Sequence, residues 1–461
     1  MAASDVGAAD LIDPAINLDP PASERQLGLP MATALIVGNM IGAGIFLLPS
    51  QLAPYGRTAF YGWLVTIAGV LCLALVLLAL SRRIPGGPFI YVERAFGPLA
   101  AFLIMWSYLV GIWTGLPAIA IPGVSYLSLI EPALGRPLVA PCVTVAAIWA
   151  VVAINARGAR SGGMVQLVTS VLKVLPLIAV ALVAAAAFGG GGHAAEQSNA
   201  AFSGGSLAGA AALALFSMLG FECATMSTDK IRDPERNVPL STIIGPVLTG
   251  LTYIAAYASV LFLLSGTRTA ASPAPFAEAI APLLGHEAST AVALFAAISA
   301  FGCLNGWLLV AGEVALTMAR DGVLPAWLGK TTRIGTPVRA QVVAGIAATL
   351  LVVANYSKSM GGLFTFAALI TTVSNLFLYA AVATAAVMLV RKLAAPFWLV
   401  PVALLALAFS LWAFYGAGAE PSLWGLALLA SGLPIYWFMR RRGGSSRAAA
   451  GAPVEPEESS V

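Results

Sequence analysis

Apolar positions in this chain fall in long charge-free runs, such as 60–80 and 143–154. A run of about 20 mainly apolar residues crosses the hydrocarbon core of a bilayer as a helix. Such runs follow one another and predict twelve spans, at 30–54, 58–82, 97–129, 138–156, 163–188, 206–228, 240–265, 288–320, 337–356, 360–391, 396–416 and 421–440. The third, eighth and tenth exceed a straight crossing and are expected to tilt. Polar stretches flank the array. Residues 1–28 carry Asp5, Asp10, Asp13 and Asp19 and lack an apolar h-region, so they read as a disordered cytoplasmic tail and not as a signal peptide. Residues 442–461, rich in Gly, Ser, Ala and Glu, read the same way.

Basic residues alternate between the two sets of loops. Arg82, Arg83 and Arg94 follow span two, Arg157 and Arg160 span four, and Lys230, Arg232 and Arg236 span six. Arg320, Lys330, Arg333 and Arg339 follow span eight, Arg391 and Lys392 span ten, and Arg440, Arg441 and Arg442 span twelve. The opposite loops hold only Arg57, Arg136, Arg268 and Lys358. The positive-inside rule then predicts both termini in the cytoplasm. The charge cluster at 229–237 reads as a solvated cytoplasmic turn, with inner gating as the alternative.

Composition supports the bilayer as solvent. The 461 residues are 59% hydrophobic and 10% charged, against about 25% charged in soluble domains. The net charge of +4 is spread among the loops, so no nucleic-acid partner is implied. Cys72, Cys142, Cys223 and Cys303 all lie in apolar runs without metal-ligand spacing and read as small fillers. His193 and His286 fall in outer loops, and no buried Ser–His pair or metal cluster speaks for an enzyme.

Two spans carry candidate breaks. In span one, Gly42 and Gly44 flank Ala43 at mid-membrane. Each glycine costs about 1 kcal/mol relative to alanine inside a helix. Unwinding there exposes backbone groups that need partners; close helix packing is the alternative reading of the small residues. In span six, Gly220 lies beside Glu222, an ionisable residue in an apolar helix. Such a residue is expected to face a polar cavity or partner; a structural hydrogen bond to a carbonyl is the other reading. Interrupted helices at corresponding places in two halves point to an inverted-repeat transporter with its substrate at the midplane. Half-helix N-termini suit a carboxylate, and unwound carbonyls suit an ammonium. An amino acid offers both.

Lys173 lies deep in span five, where an ammonium could neutralise carbonyls at the span-one break. A partly hydrated face is its alternative. Trp307 sits between Gly306 and Gly312 in span eight, as core or as a surface that something approaches.

These motifs together resemble the amino acid–polyamine–organocation superfamily. The first-helix signature runs from Gly38 through Phe46 to Leu48-Pro49. Pro85-Gly86-Gly87, Tyr91 and Phe96-Gly97-Pro98 resemble the linker from the second to the third helix. Gly220-Phe221-Glu222, Asp233 to Pro239, Gly306 to Leu309 and Ala319 to Pro325 follow in family order, so the resemblance covers roughly 28–440. It is closest to the arginine/agmatine antiporters and related basic amino acid/polyamine antiporters. The resemblance implies an all-α integral membrane protein of LeuT-like fold. It would have five-helix repeats at 29–190 and 205–392, inverted relative to each other, and two further helices at 395–441. It further implies alternating access in a bacterial inner membrane, often as a homodimer, with an amino acid or amine substrate, protons as a possible coupling ion and no cofactor.

Carried over by residue, Ala43 and Gly44 would contact the substrate carboxylate. Carbonyls near Met40, Phe216 and Leu219 would contact the α-ammonium, Trp307 would stack on the side chain, and Glu222 would be a proton-linked carboxylate. The chain departs from these antiporters at four places. Ala43 replaces a serine, Phe216 a tryptophan, and Leu116 an asparagine that binds the cationic side chain; Lys173 resembles the fifth-helix lysine of proton-coupled amino acid carriers. The leading expectation is an amino acid/polyamine exchanger. The alternatives are a proton-coupled symporter of neutral amino acids and an amino acid-binding membrane sensor.

Overall fold

A computed structural model describes residues 28–84, 87–157, 172–198, 201–222, 231–332, 335–393 and 395–450. The described chain is predominantly helical. The first span is split into α1 (Leu29–Met40) and α2 (Gly44–Leu52), which meet at 50°. Then follow α3 (Thr58–Ser81), α4 (Pro88–Phe96), α5 (Pro98–Ile130), α6 (Val139–Ala156), α7 (Leu175–Gly189) and α8 (Gly204–Met218). The second half comprises α9 (Pro234–Leu263), α10 (Gly266–Ala271), α11 (Pro275–Arg320), α12 (Val338–Ala354), α13 (Met360–Leu389), α14 (Leu399–Ala417), α15 (Ala419–Ala430) and α16 (Gly432–Ala450).

Among the described residues, eight helices are long and apolar enough to cross a membrane, and the bent pair α1–α2 makes a ninth. The shorter apolar helices α7, α8 and α12 fall in the remaining predicted spans. The first part of span five and the last part of span six lie outside the described residues, as do Pro85-Gly86, Arg160, Cys223, Lys230, Arg333 and the N-terminal tail.

Three short elements were not expected from hydropathy. The stretch after span two, read as a linker, contains α4, whose Tyr91 and Val92 are buried. Gly97 joins it to α5 at φ 85°, a left-handed conformation that costs glycine little. The long α11 divides at Gly285, so Pro275–Leu284 is a separate outer helix. With α10 it caps the end opposite the basic loops. Both have too few apolar residues in a row to show in a membrane-span window.

The centre of the bundle is α13, the most deeply buried of the long spans, packed on α5 and α14. The least buried is the α15–α16 region, whose Leu423, Trp424 and Trp437 point outward. Small residues permit close approach between helices. A Cβ on Gly62 of α3 would stand 2.9 Å from Ala210 Cβ and 3.2 Å from backbone atoms of Ala210 and Ala211. Next to it, Thr66 Oγ1 donates to Ala211 O at 3.0 Å. Because backbone cannot yield cheaply, Gly62→Val should destabilise the protein by about 1–3 kcal/mol. Thermal unfolding in detergent checks this; an unchanged transition would contradict the tight α3–α8 contact.

Candidate functional site

Both candidate breaks are present. In span one, α1 ends at Met40, and Ile41 leaves helical geometry at φ −67° and ψ 90°. Gly44 begins α2, so the unwound stretch is Ile41 to Ala43. In span six, α8 ends at Met218, Leu219 is extended, and Gly220 adopts φ 101°. A side chain at Gly220 would be strained by that φ and would also meet Asn39 backbone at 3.4 Å.

The breaks lie side by side. A Cβ on Gly44 would approach the Phe216 ring to 2.9 Å, which explains why α2 needs glycine there. The Tyr253 hydroxyl of α9 donates to Met40 O at 2.7 Å and lies 3.3 Å from Ser217 O. One phenol therefore bridges carbonyls of both interrupted helices. The Lys173 ammonium, 3% exposed, donates to Gly38 O, one turn before the first break. Sequence placed Lys173 near these carbonyls; nothing in its local pattern marked Tyr253, which reads as an aromatic in an apolar helix.

Between the breaks lies a small cavity. Met40, Gly42, Ala43, Gly44, Phe216, Leu219 and Trp307 line it. Leu116 does not: it is fully buried, and Ile112, Gly115 and Ile119 form the lining stripe of α5. On the helix Leu116 falls to one side of that stripe, so a residue-for-residue alignment overstated its access. Cys303, read as a filler, also lines the cavity, and a Cβ on Gly42 would stand 2.9 Å from its Sγ. The structure adds Thr371 and Asn375, one turn apart on α13.

Glu222 is completely buried just beyond the second break. Tyr108 donates to its Oε1 at 3.2 Å and Tyr379 to its Oε2 at 3.1 Å, while the Gly220 N–H also reaches Oε2 at 3.2 Å. Tyr108 lies one turn from Ile112 on α5, and Tyr379 one turn from Asn375 on α13. Thus the stripes that line the cavity continue into the carboxylate's clasp. On the other side of the cavity, Phe216 and Phe364 pack edge to face with centroids 5.8 Å apart.

Comparison with known proteins gives this arrangement a family. The amino acid permease family profile matches residues 27–427. The chain belongs to the amino acid permease family. It is 32% identical over 344 residues to a cadaverine/lysine antiporter of Escherichia coli K12, covering 74% of this chain and 77% of that one. It is 27% identical over 425 residues to the putrescine transporter PotE of Haemophilus influenzae, covering 91% and 98%. PotE of Escherichia coli K12 is 26% identical over 434 residues. The chain is therefore a multi-pass membrane transporter of the amino acid–polyamine–organocation superfamily, with a LeuT-like helical fold, and not an enzyme.

The Tyr253 bridge has a direct consequence. Tyr253→Phe removes the one proton that the buried Met40 carbonyl accepts, at a cost of about 1–3 kcal/mol. A lowered unfolding temperature in detergent is expected; an unchanged one would show that the hydroxyl does not hold the breaks.

Proposed function

We propose that this permease exchanges a basic amino acid for a diamine by alternating access. The observation that carries the reading is a cavity between two broken helices in a chain similar to cadaverine/lysine and putrescine transporters. Those relatives favour exchange of amino-bearing substrates over the neutral symporter and the sensor.

In this reading the substrate carboxylate meets the N–H groups of Ala43 and Gly44 at the start of α2, where the helix dipole is positive. The α-ammonium meets carbonyls of Met40, Phe216 and Leu219, and Trp307 covers the alkyl chain. Phe216 and Phe364 close one side, and the Tyr108–Glu222–Tyr379 clasp closes the side toward the basic loops. Glu222 is the carboxylate that takes and releases a proton during exchange. Lys173 supplies a fixed cation to the carbonyls of the first break.

The loop charges support an orientation with the basic end and both termini in the cytoplasm of a bacterial inner membrane. Residues 29–190 and 205–392 would then be the two inverted repeats, followed by 395–441. The homodimer follows from the same family resemblance.

Proteoliposome counterflow tests the proposal. Labelled lysine should accumulate only when the opposite compartment holds lysine, cadaverine or putrescine. No flux across a panel of amino acids and polyamines would overturn it. Glu222→Gln should flatten the dependence of exchange on pH between about 5 and 8, the range of physiological proton switching. A variant with the wild-type pH profile would remove Glu222 from proton linkage. Lys173→Ala should slow turnover, whereas wild-type rates would return the lysine to a packing role.

A further inference from the structure

The wall of the cavity formed by α13 carries polar groups with no part in holding the substrate's carboxylate or α-ammonium. Asn375 is 3% exposed and faces the cavity. Its Nδ2 donates to Thr371 O at 2.8 Å. A carbonyl can only accept, so this bond sets the amide with Nδ2 toward the helix backbone. Oδ1 is then the free end, and it is buried with no hydrogen-bond partner among the described residues. An open buried acceptor costs stability unless something supplies a donor.

One turn earlier, Thr371 Oγ1 donates to Ala367 O at 2.8 Å. Thr114 Oγ1 lies 3.2 Å from it and itself donates to Gly111 O at 3.0 Å. Both hydroxyl protons are engaged, so what Thr371 offers the cavity is lone pairs. The α13 wall therefore presents two acceptors to the cavity, the Asn375 Oδ1 and the Thr371 Oγ1, beside an Nδ2 with one of its two hydrogens already donated to Thr371 O. The facing α5 stripe, Ile112, Gly115 and Ile119, is apolar. A group that only donates, carried on an alkyl stem, satisfies these acceptors from the cavity. A primary ammonium is such a group, and the open Oδ1 accepts from it.

We infer that Asn375 is a specificity-determining residue, whose Oδ1 accepts a hydrogen bond from the ammonium at the far end of the substrate. The inference rests on the exchange reading above and extends it by naming the residue that separates a basic substrate from its neutral analogue. Thr371 offers the second acceptor. The carboxyl of Glu222, held by Tyr379 one turn further along α13, lies beyond them in the same direction.

Lysine and norleucine form the discriminating pair, since norleucine keeps the alkyl stem and lacks the ammonium. Half-saturation for each is measured by competition in counterflow with wild type, Asn375→Leu and Asn375→Asp. Asn375→Leu should weaken lysine and cadaverine by about tenfold, the usual scale for one hydrogen bond to a charged group, and leave norleucine within about twofold. Asn375→Asp should widen the preference for lysine over norleucine. An unchanged lysine-to-norleucine ratio in both variants, or an equal loss for both substrates, would overturn the role of Asn375. A wild type that carries neither lysine nor diamines would overturn the exchange reading and this inference with it. If the leucine variant fails to fold, the aspartate variant still decides, because a changed ratio there cannot come from lost packing.

Discussion

A backbone carbonyl released from a helix inside a bilayer has no water to bond with, and everything at the centre of this protein answers that constraint. Two spans are interrupted at the same depth, and each interruption frees polar backbone. Tyr253 reaches both with one hydroxyl. Lys173 donates to the carbonyl one turn before the first break, and the Glu222 carboxyl accepts the Gly220 N–H at the second. Tyr253 and Lys173 come from other helices, so the first break holds only while α9 and the fifth span are packed around α1. The remaining unwound groups face a cavity, where a substrate can supply what lipid cannot.

That arrangement ties binding to gating through helix periodicity. On α13, Phe364, Thr371, Asn375 and Tyr379 follow one another at intervals of seven, four and four residues, which places them along one face. Phe364 packs on Phe216 at one side of the cavity, Thr371 and Asn375 line it, and Tyr379 clasps Glu222 at the other. The α5 stripe runs in parallel, from Tyr108 through Ile112, Gly115 and Ile119. A shift of α13 relative to the broken helices would alter all three levels together. Gly44 permits this proximity, since any side chain there would meet the Phe216 ring.

Hydropathy carried most of the architecture, because a span needs only length and the absence of charge. The breaks were legible for a related reason: Gly42, Gly44, Gly220 and Glu222 violate what an apolar helix prefers. The short helices α4, α10 and Pro275–Leu284 were not legible, since no long apolar run marks them. Nor were Tyr108, Tyr253 and Tyr379, whose rings satisfy an apolar pattern while their hydroxyls do the polar work. Leu116 shows the opposite error, for alignment gave it a place on the lining while helix rotation turns it into the core. Thr371 and Asn375 did carry a signal, a polar pair at helical spacing in an apolar span, that only the neighbouring cavity makes interpretable.

Cys303 offers the most direct test of the central claim, that the substrate sits between the two breaks. Its sulfur lines the cavity beside Gly42. In a protein with Cys72, Cys142 and Cys223 replaced by alanine, the rate of Cys303 alkylation in proteoliposomes can be followed with increasing lysine or cadaverine. The account predicts that these substrates slow alkylation, with half-protection at the concentration that half-saturates exchange. Alkylation that proceeds at the same rate with and without a transported substrate would contradict it.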